Sequence, residues 1–208
     1  MRVNEKYNQK LLLEGNDDQH VIWALCQKHS INQSFDVIDC EGITNLNDQI
    51  PIRFKQSGVK TVGIIIDADA DIKNRWTSIK LILEKEGFIF PIEFPIEGLI
   101  VTNKNIKVGV WIMPNNNLNG MLEDFISFLV PVGDKLLPIV VSTLANIEAK
   151  NLNSYSLIHK SKAIVHTWLS WQQDPGTPMG LGITKRYLNT NEETCEKLLN
   201  WLNVLFNT

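Results

Sequence analysis

Cysteine is scarce. Cys26, Cys40 and Cys195 are the three in 208 residues, and none stands in CxxC spacing. That argues against a disulfide frame or a zinc site and for reduced thiols in a cytoplasmic protein. Cys26 and Cys195 fall in helical patterns, where burial as small apolar groups is the ordinary role. Long apolar runs are missing too: no stretch approaches the roughly 18 residues that cross a bilayer. Met1 to Lys6 leads into a short apolar run without a signal-peptide core, so the expectation is a cytoplasmic chain with no membrane partner. Positive charge is not in excess either. A formal net charge of −3 argues against a protein that coats nucleic acid, because phosphate contacts need Lys and Arg. An enzyme acting on nucleic acid would then need local basic clusters or a partner. Serine and cysteine nucleophile motifs are absent. His20, His29 and His166 have no ligand spacing, which favours structural roles. No internal repeat, low-complexity tract or domain linker is expected.

What the chain does have is a globular balance, 44% hydrophobic and 21% charged, with length enough for one domain over residues 1–208. Strand-like runs at Lys10 to Leu13, Phe35 to Cys40 and Val59 to Ile66 alternate with helical patterns. Those patterns are Asp17 to His29, capped by Asn16 or Asp17, a segment around Leu46 to Phe54 interrupted by Pro51, and Trp76 to Glu86. Val59 to Ile66 is almost continuously apolar, as befits a central parallel strand covered on both faces. Phe88 to Phe94 and Gly98 to Thr102 read as a hairpin at the sheet edge, and Lys107 to Ile112 as a further core strand. From Leu118 onward the spacing is helical, over Leu122 to Leu129, Lys135 to Ala149, Ser161 to Trp171 and Glu192 to Phe206. A long loop is expected at Gln173 to Gly182. Trp168, Trp171 and Trp201 read as core. The rhythm predicts an α/β fold with a mainly parallel, Rossmann-like sheet flanked by helices, a core over about 8–130, and a helical C-terminal portion over about 131–208.

Carboxylates follow the apolar runs. Leu11-Leu12-Leu13 is followed by Glu14-Gly15 with Asp17-Asp18 behind it. Val62 to Ile66 is followed by Asp67-Ala68-Asp69-Ala70-Asp71, and Val108 to Met113, after an Asn-rich turn, by Gly120-Met121-Leu122-Glu123-Asp124. Singly, each is as readily a solvated strand end or a helix cap. Together, at the carboxyl edge of a sheet where ligands bind, like charges would repel by roughly 4 kcal/mol per close pair at an intermediate dielectric. A divalent cation relieves that. Oxygen ligands suit Mg²⁺, which needs only one or two carboxylates per ion, so there is enough here for two. Such a pair activates water and stabilises the leaving oxygen in phosphodiester cleavage.

Glu14-Gly15 after one strand and Asp67-Ala68-Asp69 after a later one resemble the TOPRIM domain. That fold is shared by topoisomerases, bacterial primases, small ribonuclease-like proteins and the overcoming-lysogenization-defect nucleases. Trp111-Ile112-Met113-Pro114-Asn115-Asn116-Asn117, Gly120-x-Leu-Glu-Asp and His159-Lys160-x-Lys162-Ala163 are similar, more narrowly, to a freestanding TOPRIM-related family of unknown function. The resemblance implies that Glu14 is a general acid/base or metal ligand and that Asp67 and Asp69 bind Mg²⁺, with Mn²⁺ as a substitute. Asp18 and Glu123 match the extra metal ligands of the nuclease branch, with Asp17, Asp71 and Asp124 as neighbours. Lys160 or Lys162 matches its phosphate-stabilising lysine. Those nucleases carry an ATPase domain, whereas no Gly-x-x-x-x-Gly-Lys-Ser/Thr loop occurs here. The expectation is a Mg²⁺-dependent nuclease acting on DNA or RNA; the alternative is a non-catalytic, metal-dependent nucleotide or nucleic-acid binding module acting with a partner ATPase.

Overall fold

Branched apolar residues in short uninterrupted runs dictate strands that can be buried on both faces. In the computed structural model, which describes residues 5–208, they form the centre of a five-stranded sheet. The elements in order are β1 (Gln9–Leu13), α1 (Asn16–Lys28), β2 (Asp36–Asp39), α2 (Ile43–Lys55), β3 (Thr61–Asp67), α3 (Ile72–Lys85), β4 (Leu99–Asn103) and β5 (Ile106–Met113). There follow α4 (Leu122–Phe128), α5 (Leu136–Ala149), α6 (Lys160–Ser170), α7 (Met179–Thr184) and α8 (Glu193–Asn207). Strand order is β2-β1-β3-β5-β4. All neighbours are parallel except β4, which pairs antiparallel with β5. This is the expected α/β class: a mostly parallel sheet flanked by helices, with a helical C-terminal part.

Side-chain alternation divides the interior in two. Leu11, Leu13, Ile65, Trp111 and Met113 face a cluster shared with α1 and the C-terminal helices. Leu12, Ile64, Ile66, Val110 and Ile112 face the other way, toward α2 and α3. Because both faces are covered, neither set has polar residues between its members, which is why the strands read as unbroken apolar runs. α8 lies directly against β3 and β5. A methyl group at Gly109 would stand 2.5 Å from Leu205 Cδ2, so the absence of a side chain there sets the helix–sheet distance.

Several expectations need correction. The edge hairpin is β4–β5; Phe88 to Phe94 forms no strand. Pro91 and Pro95 lack the N–H a ladder needs, and Phe90 and Phe94 instead dock on Trp76 at ring distances of 5.4 and 4.8 Å. This segment is also a short tandem duplication, Phe90-Pro91-Ile92-Glu93 followed by Phe94-Pro95-Ile96-Glu97. In both copies the phenylalanine points inward, while Ile92 and Ile96 are exposed. Gly15 rather than Asn16 or Asp17 caps α1. α2 runs through Pro51. α3 begins at Ile72, four residues before Trp76, because Asp71 accepts from the N–H groups of Lys73 and Asn74, each at 3.0 Å. The long loop contains α7. There Gly180 permits a close crossing over α1, since a methyl group would meet the His20 carbonyl oxygen at 2.6 Å. Trp171 is 44% exposed, unlike the buried Trp168 and Trp201. The cysteines are buried as expected, and burial pushes Cys26 and Cys40 up to about 11 and Cys195 up to about 12, which keeps them as thiols.

Candidate metal centre

The two innermost parallel strands, β1 and β3, end side by side, with Leu13 in register with Ile65. Glu14 and Asp67 are therefore delivered to one place by strand pairing alone. The Asp67 N–H donates to Glu14 Oε1 at 2.9 Å, and Asp67 Oδ1 accepts from the Leu122 N–H at the start of α4 at 3.0 Å. One carboxylate thus orients the backbone of the next, and the second orients the helix that carries Glu123.

The turn after β5 closes the arrangement. Asp69 and Gly120 exchange two backbone hydrogen bonds of 2.8 Å. Asp69 has φ +52° and Gly120 φ +138°; a side chain at Gly120 would also run into the Asp124 carboxylate at 2.6 Å. Asn119 ties the two loops further, accepting from the Ile72 N–H at 3.0 Å and donating to the Ala70 carbonyl at 2.7 Å. Asn115 and Asn116 belong to the turn itself. Asn115 accepts from the Leu118 N–H at 2.9 Å, and buried Asn116 accepts from the Ile112 N–H at 2.7 Å.

A cavity of about 400 Å³ opens at this edge, lined by Glu14, Asp17, Asp18, Asp67, Asp69 and Glu123, with His159 and Lys162 at its margin. Asp18 and Glu123 are 8% and 4% exposed. Burial pushes the Asp18 carboxyl up to about 7, and the charges of Glu14 and Glu123 add to it. Burial also raises Asp67 well above the usual carboxylate range, reinforced by Asp18, Glu14, Glu123 and Asp69. Glu14 is raised by burial despite the Asp67 N–H bond and the positive charge of Arg75, which oppose the rise. Among the described residues, the ion pairs that reach this cluster are Lys162 with Glu123, at 3.3 Å, and Arg75 with Asp69. Arg75 carried no motif in the sequence; its place one turn into α3 is the only hint it offered.

Other sequence candidates sit elsewhere. Asp71 is the cap of α3. Asp124 caps α4, accepting from the Met121 N–H at 2.9 Å, and is held by the Ser161 hydroxyl. Lys160 turns to Glu148 on α5 at 2.6 Å, where Tyr155 also donates. Only Lys162 of the lysine pair borders the acidic cavity. Among the described residues, no three His, Cys, Asp or Glu side chains close on a single point. The donor set is nonetheless all oxygen, with Asp18 and Glu123 buried and few positive charges nearby, which suits Mg²⁺ held by one or two carboxylates with its remaining positions hydrated.

The chain belongs to the DUF3226 family, described as proteins of unknown function, whose model matches residues 8–207. No curated protein matches it. Two solved structures of the C-terminal region of the Xanthomonas campestris pv. campestris OLD protein, one phased with mercury and one with iodine, are similar to it. The identities are 14% and 13%, each alignment covers 93% of this chain and 85% of the other, and both TM-scores are 0.40.

Proposed function

We propose that this chain is a TOPRIM-type module that holds divalent metal at the carboxyl edge of β1 and β3 and hydrolyses phosphodiester bonds in nucleic acid. One observation carries the reading: Glu14, Asp18, Asp67 and Glu123 are gathered in one cleft without enough cations to neutralise them. Groups with raised pKa values in a cleft are the usual mark of a working site. When bound, one or two Mg²⁺ ions, or Mn²⁺ in their place, supply Lewis-acid polarisation of the phosphate and acidify the attacking water.

The chain's own residues do the rest. Asp67, Asp69, Asp18 and Glu123 provide metal ligands, with exposed Asp17 at the mouth. Glu14, raised by burial, moves a proton at the reacting edge, since a carboxyl tuned toward neutrality is the more effective acid or base. Lys162 offers its ammonium group to a phosphate oxygen on leaving Glu123. In the hydrolysis, the water oxygen bonds to phosphorus and gives up one proton to Glu14, the bond to the leaving sugar oxygen breaks, and that oxygen takes one proton in return.

A second reading is favoured by the net charge of −3 and by the sequence having no ATP-binding Gly-x-x-x-x-Gly-Lys-Ser/Thr loop. It is a metal-dependent nucleotide or nucleic-acid binding module without chemistry, acting with a partner ATPase. Cleavage of supercoiled, linear and single-stranded DNA and of RNA, with Mg²⁺ or Mn²⁺, separates the two. The nuclease gives metal-dependent products that vanish in Asp67→Ala and Glu14→Ala. A protein that metal stabilises but that cleaves none of these substrates is the binding module.

A further inference from the structure

A second cavity, of about 390 Å³, lies between α1 and α7 and shares two lining residues, Asn16 and Asp17, with the acidic one. Its size falls within the range of small-molecule pockets. Its walls are apolar: Trp23 from α1, and Pro178 and Leu181 from the start of α7. His20, Gln27 and Thr184 supply polar groups around them. The His20 and Trp23 rings stand 5.4 Å apart and at 84° to one another. Trp23 is only half-buried, packing against the core while part of its ring stays open to the cavity, and His20 is exposed.

The same local device builds the acidic floor and this pocket. α1 begins right after Glu14-Gly15, so its first turn presents Asp17 and Asp18 to the metal site while the next turn presents His20 and Trp23 to the pocket. Gly180 brings α7 close enough to form the opposite wall. The lining contains no Lys or Arg among the described residues, and Asp17 is its formal negative charge. Such a pocket repels phosphate but suits a flat, uncharged heterocycle, whose face stacks on an aromatic ring while its edge meets amide and hydroxyl groups. A larger cavity of about 840 Å³ beyond Asn16 has Asp39, Glu41 and Asp48 in its lining, which disfavours an anionic strand there.

We propose that the α1–α7 cavity is a nucleobase subsite, which takes one base of a single-stranded nucleic acid whose neighbouring phosphate lies over the acidic cavity. The assignment rests on the proposed function for what the neighbouring phosphate does there, though not for the stacking itself. It makes Trp23 the stacking platform, with His20 edge-on beside it and Leu181 the opposing wall.

The test is a titration of tryptophan-¹⁵N-labelled full-length protein followed by indole N–H resonances, with Trp23→Phe to assign its signal. The probes are adenosine, which has no phosphate, and a single-stranded tetranucleotide, each with Mg²⁺ and with EDTA. Adenosine should shift the Trp23 resonance with or without metal, and the tetranucleotide should shift it in Mg²⁺ at lower concentration. Leu181→Glu, at a position 43% exposed, should weaken both by about 10-fold, the scale of one lost apolar contact, with its other indole resonances in place as proof of folding. In a cleavage assay the same variant should raise KM about as much and leave kcat unchanged. An unmoved Trp23 resonance overturns the subsite, even if the protein cleaves. A Trp23 shift without any cleavage upholds the subsite and overturns only hydrolysis. A tetranucleotide that binds no tighter than adenosine overturns the assignment to a strand.

Discussion

The two ends of this sheet treat buried charge in opposite ways. At the amino end, Lys10 and Asp36 face each other across β1 and β2, 2% and 7% exposed. Lys10 Nζ meets Asp36 Oδ2 at 2.7 Å and Glu5 Oε2 at 3.0 Å and donates to the Tyr7 carbonyl at 2.6 Å. Asp36 also accepts from the N–H groups of Lys6 and Tyr7. Burial by itself would raise the Asp36 carboxyl, yet Lys10 and these donors outweigh it and hold the group low. At the carboxyl end, Asp18 is also buried and Asp67 half-buried, but their neighbours are other carboxylates, and both are pushed up. Burial is common to the two ends; what differs is whether the protein supplies the counter-charge. Where it does, the charges are structural. Where it does not, the folded state bears an unfavourable charge that an external cation can relieve.

The largest expected effect comes from opening the closed end. Lys10→Met leaves Asp36 buried without its cation and should cost about 3–5 kcal/mol, read as a lower urea midpoint. An unchanged midpoint would mean that the pair does not differ from the acidic cluster in the way described.

The acidic end should show the reverse pH dependence. Asp18 titrates at about 7 in the folded protein against an ordinary value of 3.8. Between those values the folded state binds more protons than the unfolded, so in EDTA this group's contribution to stability falls as pH rises and levels off above the upper value. At most it amounts to about 4 kcal/mol. Asp36, held low, contributes stability above its unfolded pKa that is lost as pH falls through the folded one. Asp18→Asn should make the decline below about pH 7 shallower, leaving the part that raised Asp67 and Glu14 contribute; a variant that melts with the wild-type pH profile would refute that source. Divalent metal should offset the same cost. At 100-fold excess over Kd, Mg²⁺ should add about 2.7 kcal/mol in the wild type and in Lys10→Met alike, and nothing in Asp67→Ala, as read by thermal melting.

Smallest in stability, and sharpest in function, is the lysine pair. Lys162→Met should lower kcat by about 100-fold with little change in melting temperature, whereas Lys160→Met, which loses only its contact with Glu148, should leave kcat intact. Equal losses in both variants would undo the distinction.

The sequence was most legible where one element decides the outcome. Continuous apolar strands with carboxylates at their ends laid out the sheet and brought Glu14 and Asp67 together, because strand pairing delivers the residue after each run to the same edge; Glu123 reaches it only through the turn after β5 and the start of α4. What it hid was decided by contacts between distant segments. In the sequence Asp71 and Asp124 read equally as neighbours of the ligand set or as helix caps, and the capping bonds on α3 and α4 appear only in the structure. Phe90 and Phe94 look like strand residues until Trp76 claims them. Arg75, Lys10 and the α7 wall carry no motif, and each takes its meaning from a partner on another element. Lys160 and Lys162 likewise differ only in their partners, Glu148 on α5 for the first and Glu123 on α4 for the second.

A calorimetric titration of Mn²⁺ into the wild type, Asp67→Ala and Lys10→Met at pH 8 tests most directly whether the acidic end is open to an external cation. Saturable binding in the wild type and Lys10→Met, lost in Asp67→Ala, is the expected result. No saturable binding in the wild type, or binding that survives Asp67→Ala undiminished, would contradict the metal centre.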